Sequence, residues 1–140
     1  MQTCSKTYSD IPFAHRQPNH DGHCSYIHGH NWSICATFAS SKKDSNGFIV
    51  DFGKLKYLKQ WIDENLDHAC VICKNDPILD IGQINKFFKF LLVDDASCEG
   101  LSEFIFNEFQ KLIHKNENGR VSLTKITLFE DSRNSAEYKK

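Results

Sequence analysis

The chain has 140 residues, a formal net charge of −1 and 25% charged residues. This length suits one domain with a small but real core, so we expect a single domain over residues 1–140. No long block of one charge sign is present, which argues against a nucleic-acid-binding arm and a polybasic membrane patch. The N-terminus has no apolar stretch typical of a signal peptide, and no apolar run approaches the length of a membrane span. These features predict a cytoplasmic protein.

The cysteines are even in number, six in all. Without a secretion signal they indicate reduced thiols, not a disulfide framework. Cys70 and Cys73 form a CxxC pair, but no second such pair or adjacent histidine pair completes a structural zinc site. We therefore expect them to be small packing residues, with a redox or metal role as the lesser alternative.

The first half of the chain predicts two strands. Alternating residues predict a strand over 5–14, a polar loop follows from Gln17 to Gly22, and a second strand covers 28–38. In the second strand, His28 and His30 share a face with the apolar residues that follow them. Imidazole rings are unusual on such a face unless something binds them.

A hairpin loop ending at Asn46-Gly47 and a short return strand over 48–50 come next. Asp51 then resembles the N-cap of a helix whose apolar residues recur at three-to-four spacing through Leu66. The pattern over 83–93 is mixed and fits a short helix followed by a strand at 88–93.

Ser97 is a good N-cap for a second helix, which ends within 116–119. A final strand over 121–130 and a polar tail close the chain. The order of elements predicts an α+β domain, an antiparallel sheet with two helices packed on one face.

His28 and His30 are two residues apart, so a strand places both rings on one face, where they can bind one divalent metal ion. A catalytic zinc keeps three protein ligands and one open position. His15, at the end of the neighbouring strand, is the favoured third ligand; His20 or His23 is the alternative. An H-x-H pair is a weak motif by itself, so an ordinary surface pair without metal remains open.

Three further positions carry reactive groups. Near a cation, Cys24 would be partly thiolate, as a base or nucleophile requires, although most loop thiols are inert. Asp67 and His68 offer an acid/base pair; alternatively Asp67 caps the preceding helix and His68 interacts with its dipole.

Two carboxylates stand near predicted element ends. Glu130 ends an apolar strand face and could accept two N–H groups from a planar heterocycle, or be the solvated end of the strand. Glu99 lies in the first turn of the second helix, where the helix dipole favours a negative charge.

Taken together and in order, these pieces resemble the 6-pyruvoyltetrahydropterin synthase / 6-carboxytetrahydropterin synthase family, whose members have the tunnelling fold (T-fold). The Cys-x3-His-Gly-His segment and the Asp-Phe and Asp-His pairs are the diagnostic parts. The matching segments are Phe13-Ala14-His15, Cys24 to Asn31, Gly47 to Phe52, Leu66-Asp67-His68, Cys98-Glu99, Glu130 and Asn134 to Tyr138.

The resemblance implies site roles for individual residues. The implied zinc ligands are His15, His28 and His30, and the implied catalytic set is Cys24, Asp67 and His68. Substrate binding is implied for Glu130, on the amino-pyrimidine edge of the pterin, and for Glu99. It also implies a homo-oligomer, commonly a hexamer of two trimers, whose sheets close into a barrel with active sites between subunits.

The gap of three residues between Cys24 and His28 is that of the bacterial 6-carboxytetrahydropterin synthases of queuosine (7-deazaguanine) biosynthesis. The implied reaction is zinc-dependent conversion of 7,8-dihydroneopterin triphosphate to 6-carboxy-5,6,7,8-tetrahydropterin, acetaldehyde and triphosphate. A 6-pyruvoyl synthase, which keeps the side chain, and a non-catalytic pterin- or zinc-binding protein are the alternatives. Arg16, His20 and His23 are candidates for binding the triphosphate, but no sequence pattern assigns this role.

Three features depart from the family pattern. The usual Pro-Thr-x-Glu-Asn before the second helix is replaced by residues 96–100, which end in Glu99-Gly100. Asp131 follows Glu130 where Thr is usual. The segment over 70–95 is also longer than in compact members. We expect these changes to affect the rim of the substrate site.

Overall fold

A computed structural model describes residues 1–140 and contains one six-stranded sheet with strand order β4-β3-β1-β2-β5-β6. The elements are β1 Thr3–His15, β2 His28–Ala39, α1 Lys56–Asn65, β3 Ala69–Cys73, β4 Lys89–Val93, α2 Cys98–Asn116, β5 Ser122–Phe129 and β6 Ser135–Lys139. Neither helix is both long and apolar enough to cross a membrane.

β1 and β2 form a long antiparallel pair that determines where the histidines lie. The register places His15 opposite His28 and Phe13 opposite His30. The register shifts between Tyr8 and Ile11, where Asp10 has a φ of 58°, as at a β-bulge. The predicted proximity of the end of the first strand to the start of the second is confirmed.

The core lies between the sheet and the helices. Trp32 of β2 is fully buried, stacks on Phe13 at a ring-centroid distance of 4.3 Å and donates its indole N–H to the Phe13 carbonyl oxygen. Burial of such large apolar side chains is the main stabilising contribution to the fold. Both α-helices contribute to the same cluster, α1 through Leu58 and Ile62, and α2 through residues from Leu101 to Ile113.

The sheet is mostly antiparallel, but β3 runs parallel to both β1 and β4. All five residues of β3 are buried, which is typical of a parallel strand covered on both faces. An apolar run without alternation gives no period-two signal, so the sequence prediction missed this strand and the parallel pairing. Cys70 and Cys73 lie within β3 as free, buried thiols, as expected for packing residues.

Three other boundaries differ from the sequence prediction. Residues 48–50 do not form a return strand; Ile49 and Val50 lie in a bend, although both are buried. Asp51 caps the short 3-10 turn Phe52–Lys54, and α1 begins only at Lys56. The end of the chain, predicted as a polar tail, forms β6 and pairs antiparallel with β5. Its alternation was missed because only every second residue, as with Tyr138 on Phe106, contacts the core.

Candidate metal centre and active-site cleft

The ends of β1 and β2 bring His15, His28 and His30 together. One ring nitrogen of each lies within 4.8 Å of those of the other two. His15 is buried and the other two are half-buried. Three imidazoles at this spacing can hold one divalent cation.

Hydrogen bonds decide which nitrogen atoms face the centre. His15 Nδ1 lies 2.7 Å from the Ala96 carbonyl oxygen, and His28 Nδ1 lies 2.7 Å from that of Tyr26. A carbonyl oxygen only accepts, so each Nδ1 carries the proton and each Nε2 keeps a free lone pair. A carbonyl partner of this kind commonly orients a metal-binding histidine.

The inner nitrogen atoms also lack partners. Nε2 of His15 and Nε2 of His30 are buried and make no hydrogen bond. Buried polar atoms without a partner are rare in folded proteins, so a cation bound here would supply the missing interaction. Burial lowers the pKa of His15, which favours the neutral ring that a metal ion requires. The residues therefore fit a zinc ion.

Glu130 faces the same centre from the end of β5. Its Oε1 lies 3.4 Å from His15 Nε2 and 3.5 Å from His30 Nε2, without hydrogen-bond geometry. Its backbone N–H donates to the Asn134 carbonyl oxygen across the β5–β6 turn. The carboxylate adds negative charge beside the three rings, where it can contact a cation or a molecule bound next to one.

His15, His28 and Glu130 border a mainly polar cleft of about 480 Å³. The structure thus brings two of the predicted zinc ligands, one predicted catalytic residue and both predicted substrate carboxylates to one surface depression. The residues around it are His15, Gln17, Cys24, His28, Ser97, Cys98, Glu99, Glu130, Arg133, Asn134 and Ser135.

Cys24 lies in a short 3-10 turn, His23–Ser25, and is exposed. A second thiol, Cys98, also borders the cleft, but it is half-buried and its Sγ lies 3.5 Å from the Leu128 carbonyl oxygen. Burial and the charges of Glu130 and Glu99 raise the pKa of Cys98 to about 12. Cys98 therefore stays a protonated thiol near neutral pH, and Cys24 is the cleft thiol open to solvent.

Asp67 and His68 do not border this cleft in the single chain. They lie directly before β3, where the His68 backbone N–H donates to the Pro12 carbonyl oxygen. The His68 side chain is 81% exposed, and its Nδ1 lies 3.1 Å from Asp67 Oδ1. The two side chains thus form a carboxylate–imidazole pair that faces solvent.

Arg133 borders the cleft and was missed at the sequence level. It lies in the turn between β5 and β6, which the polar-tail interpretation concealed. Polar and apolar residues alternate over 135–139, and this pattern would have indicated a hairpin. The predicted triphosphate candidates Arg16, His20 and His23 do not border the cleft, and the Arg16 guanidinium donates to both carboxylate oxygens of Asp76.

The chain is similar to several known proteins. A family model described as 6-pyruvoyl tetrahydropterin synthase matches residues 3–140. A relative from Rickettsia bellii, named 6-carboxy-5,6,7,8-tetrahydropterin synthase, is 34% identical over 122 residues, covering 83% of this chain and 85% of the relative. A relative of the same name from Rickettsia conorii is 40% identical over 115 residues, covering 80% and 83%.

Solved structures show the same fold at low sequence identity. An uncharacterized protein from Wolinella succinogenes superposes with a TM-score of 0.83 at 17% identity, over 99% of this chain and 97% of the other. The 6-pyruvoyltetrahydropterin synthase of Plasmodium vivax superposes with a TM-score of 0.74 at 18% identity, over 100% and 99%. The predicted fold class is confirmed. The chain belongs to the 6-pyruvoyl tetrahydropterin synthase family.

Proposed function

We propose that the protein is a zinc-dependent 6-carboxy-5,6,7,8-tetrahydropterin synthase acting on 7,8-dihydroneopterin triphosphate. The observation that carries this proposal is the cleft in which His15, with its unpartnered Nε2, and His28 meet an exposed cysteine and a carboxylate. The name shared by the Rickettsia relatives supports the carboxy product over other pterin chemistry.

The histidines and the carboxylate have separate tasks in this proposal. His15, His28 and His30 would hold the zinc ion through their Nε2 atoms. When bound, zinc supplies Lewis-acid polarisation of substrate oxygens. Glu130 accepts hydrogen bonds from the amino-pyrimidine edge of the pterin, which fixes the ring beside the histidines. Such charge-assisted bonds are stronger than neutral ones.

Proton transfers are assigned to Cys24 and to the Asp67–His68 pair. The Cys24 thiolate takes a proton from the substrate side chain, and His68, oriented by Asp67, exchanges the matching proton on the opposite side. Because Asp67 and His68 face solvent outside the cleft, a neighbouring subunit would have to supply this pair. With one water molecule consumed, the reaction releases triphosphate, acetaldehyde and 6-carboxytetrahydropterin.

The sheet edges support a homo-oligomer. β4 and β6 each have only one neighbouring strand, so each leaves a row of backbone groups open to pairing. We propose that copies of the chain close these edges into a barrel, as a hexamer of two trimers, with active sites between subunits.

One basic side chain in the cleft is available to an anionic substrate tail. Glu99 and Glu130 are the acidic residues there, and the Arg133 guanidinium is the one Lys or Arg side chain at its border. We assign Arg133 to the triphosphate and Glu99 to a polar group of the pterin. The product would then enter 7-deazaguanine (queuosine) biosynthesis.

Product analysis tests the proposal against its two alternatives. Zinc-loaded protein is incubated with 7,8-dihydroneopterin triphosphate, and the products are identified by mass spectrometry. Acetaldehyde with 6-carboxytetrahydropterin supports the proposal. A retained three-carbon side chain identifies a 6-pyruvoyl synthase, and unchanged substrate in the presence of bound zinc identifies a non-catalytic binding protein.

A further inference from the structure

The loop that carries Cys24 has no apolar anchor. None of the residues over 16–30 is buried, and most of the loop over 19–27 is exposed. A proton-transferring thiol nevertheless has to stay within a fraction of an ångström of its working position, because small misplacements cost large factors in rate. Within the single chain, polar contacts hold this loop.

The first contact runs through Arg16 and Asp76. The Arg16 guanidinium donates to both Asp76 carboxylate oxygens, with Nε 2.7 Å from Oδ2, and its Nη1 donates to the Ser25 carbonyl oxygen at 3.3 Å. The Asp76 side chain is fully buried and also accepts the Ile78 backbone N–H. A buried carboxylate from the segment between β3 and β4 thus fixes the residue next to Cys24.

The second contact runs through Gln17 and Asp95. The Gln17 backbone N–H donates to the Cys24 carbonyl oxygen at 2.8 Å, and its side-chain amide donates to Asp95 Oδ1 at 3.2 Å. The same Asp95 oxygen accepts the Ser97 backbone N–H at the start of α2. This arrangement connects the Cys24 loop to the helix that carries Glu99.

Gly100 makes room for the second contact. A Cβ atom at this position would lie 2.4 Å from Asp95 Cγ and 2.6 Å from the Asp95 carbonyl oxygen. The departure from the family pattern at Glu99-Gly100 therefore accompanies a close approach of Asp95 to the helix. The long segment before α2 supplies both acidic anchors, Asp76 and Asp95.

We propose that Asp76 and Asp95 are positioning residues that hold Cys24 at the cleft, Asp76 through Arg16 and Asp95 through Gln17. The proposal rests on the proposed function, since it gives the ordered loop a catalytic purpose. Neither aspartate touches the substrate. Their effect is on the conformation of residues 17–27.

Asp76→Asn tests the first contact, because the amide keeps the size of the side chain but loses its charge and one acceptor oxygen. Four quantities are measured on the zinc-loaded protein: kcat and KM for 7,8-dihydroneopterin triphosphate, bound zinc, and hydrogen exchange of the peptide over 16–27. We expect kcat to fall at least about tenfold, with KM within about twofold and zinc unchanged. Exchange should accelerate in this peptide and stay unchanged in α2.

Asp94→Asn is the matched control. Asp94 is 90% exposed, pairs with Lys74 at the surface and makes no side-chain hydrogen bond to residues 16–27, although it borders the same surface depression as Gln17. Its substitution should leave kcat and the exchange of residues 16–27 within about twofold of the original values, since surface ion pairs contribute little.

Gln17→Ala supplies a second variant if Asp76→Asn does not fold, because Gln17 is only half-buried. It should accelerate exchange in the same peptide. Arg16→Lys should leave the peptide over 16–27 less ordered than in the original protein, because an ammonium cannot bond both carboxylate oxygens and Ser25 together. Unchanged exchange and unchanged kcat in Asp76→Asn and Gln17→Ala would overturn the proposal.

The exchange measurement separates this proposal from the proposed function. It needs no substrate, so it reports loop order even if the chain has another activity. Loss of loop order without loss of kcat would show that the anchors exist but do not serve catalysis.

Discussion

At the scale of single residues, the cleft depends on which atom of each side chain points inward. The backbone carbonyls of Ala96 and Tyr26 accept hydrogen bonds from the Nδ1–H groups of His15 and His28, which leaves the Nε2 atoms for a ligand. Similarly, burial keeps Cys98 protonated while Cys24 remains open to solvent. Identical residue types therefore have different chemistry because their surroundings differ.

His28→Ala should remove the metal. It deletes one of three ligands, so we expect about one zinc ion per chain in the original protein and little or none in the variant after dialysis. Metal analysis by plasma emission spectroscopy measures this. His114→Ala, which changes an exposed histidine in the last turn of α2, should keep its zinc. Equal zinc in both variants would count against the three-histidine site.

Glu130→Gln should weaken pterin binding. A charge-assisted hydrogen bond contributes about 1.5–3 kcal/mol, so the dissociation constant of a dihydropterin should rise roughly 10- to 150-fold. Calorimetric titration of the zinc-loaded protein measures the constant, with bound zinc as the control. If zinc is lost instead, Glu130 is a metal ligand and its pterin role is wrong.

At the scale of elements, the start of α2 connects the cleft to the preceding segment. The Ser97 hydroxyl accepts the Gly100 backbone N–H as the N-cap, as the sequence predicted. Asp95 packs against Gly100 so closely that the helix tolerates no side chain there. This junction positions Glu99, Cys98 and the Ala96 carbonyl together.

Gly100→Ala should destabilise the fold, although alanine normally stabilises a helix by about 1 kcal/mol relative to glycine. The added Cβ would overlap with Asp95, and overpacking of this kind costs about 1–3 kcal/mol. Urea unfolding measures the free energy. Gly82→Ala is the control, since nothing lies within 4 Å of its Cβ, and it should change stability by less than about 0.5 kcal/mol. A neutral or stabilising Gly100→Ala would contradict this contact.

At the scale of the whole molecule, the sheet has two open edges, and the cleft lacks part of the proposed catalytic set. β4 carries exposed apolar surface, including Leu92 at 39% exposure. The Asp67–His68 pair lies outside the cleft. Pairing of copies through the edges would cover the apolar surface of β4. It could also bring the Asp67–His68 pair of one copy to the cleft of another.

Leu92→Lys should disrupt such an assembly. A charge on an edge strand disfavours strand pairing between copies, so the sedimentation coefficient should fall toward that of a single 16.1 kDa chain. Analytical ultracentrifugation measures the change. Gln110→Lys adds the same charge at an exposed position of α2 and should leave the assembly intact. A sedimentation coefficient of a single chain in the original protein would contradict the oligomer.

The predictions that held depend on local patterns. Period-two alternation located β1 and β2, three-to-four spacing indicated α1, and Ser97 was identified as the N-cap of α2 from its residue type. The predictions that failed concern segments whose pattern is set by distant neighbours. β3 is apolar throughout because helices and strands elsewhere cover it, and β6 is polar because half of it faces solvent.

The sequence alone determined the family, the paired histidines on one strand face and the identity of the residues that could do the chemistry. Those features follow from residue type and short spacing, which a chain carries whether folded or not. Only the tertiary structure decided that His15 lies opposite His28, that Arg133 borders the cleft, and that Asp67 and His68 lie outside it. It also revealed the anchors of Cys24, because Asp76 and Asp95 reach the loop across 60 and 78 positions of sequence. Contacts over such separations depend on strand register and packing, which no local pattern encodes.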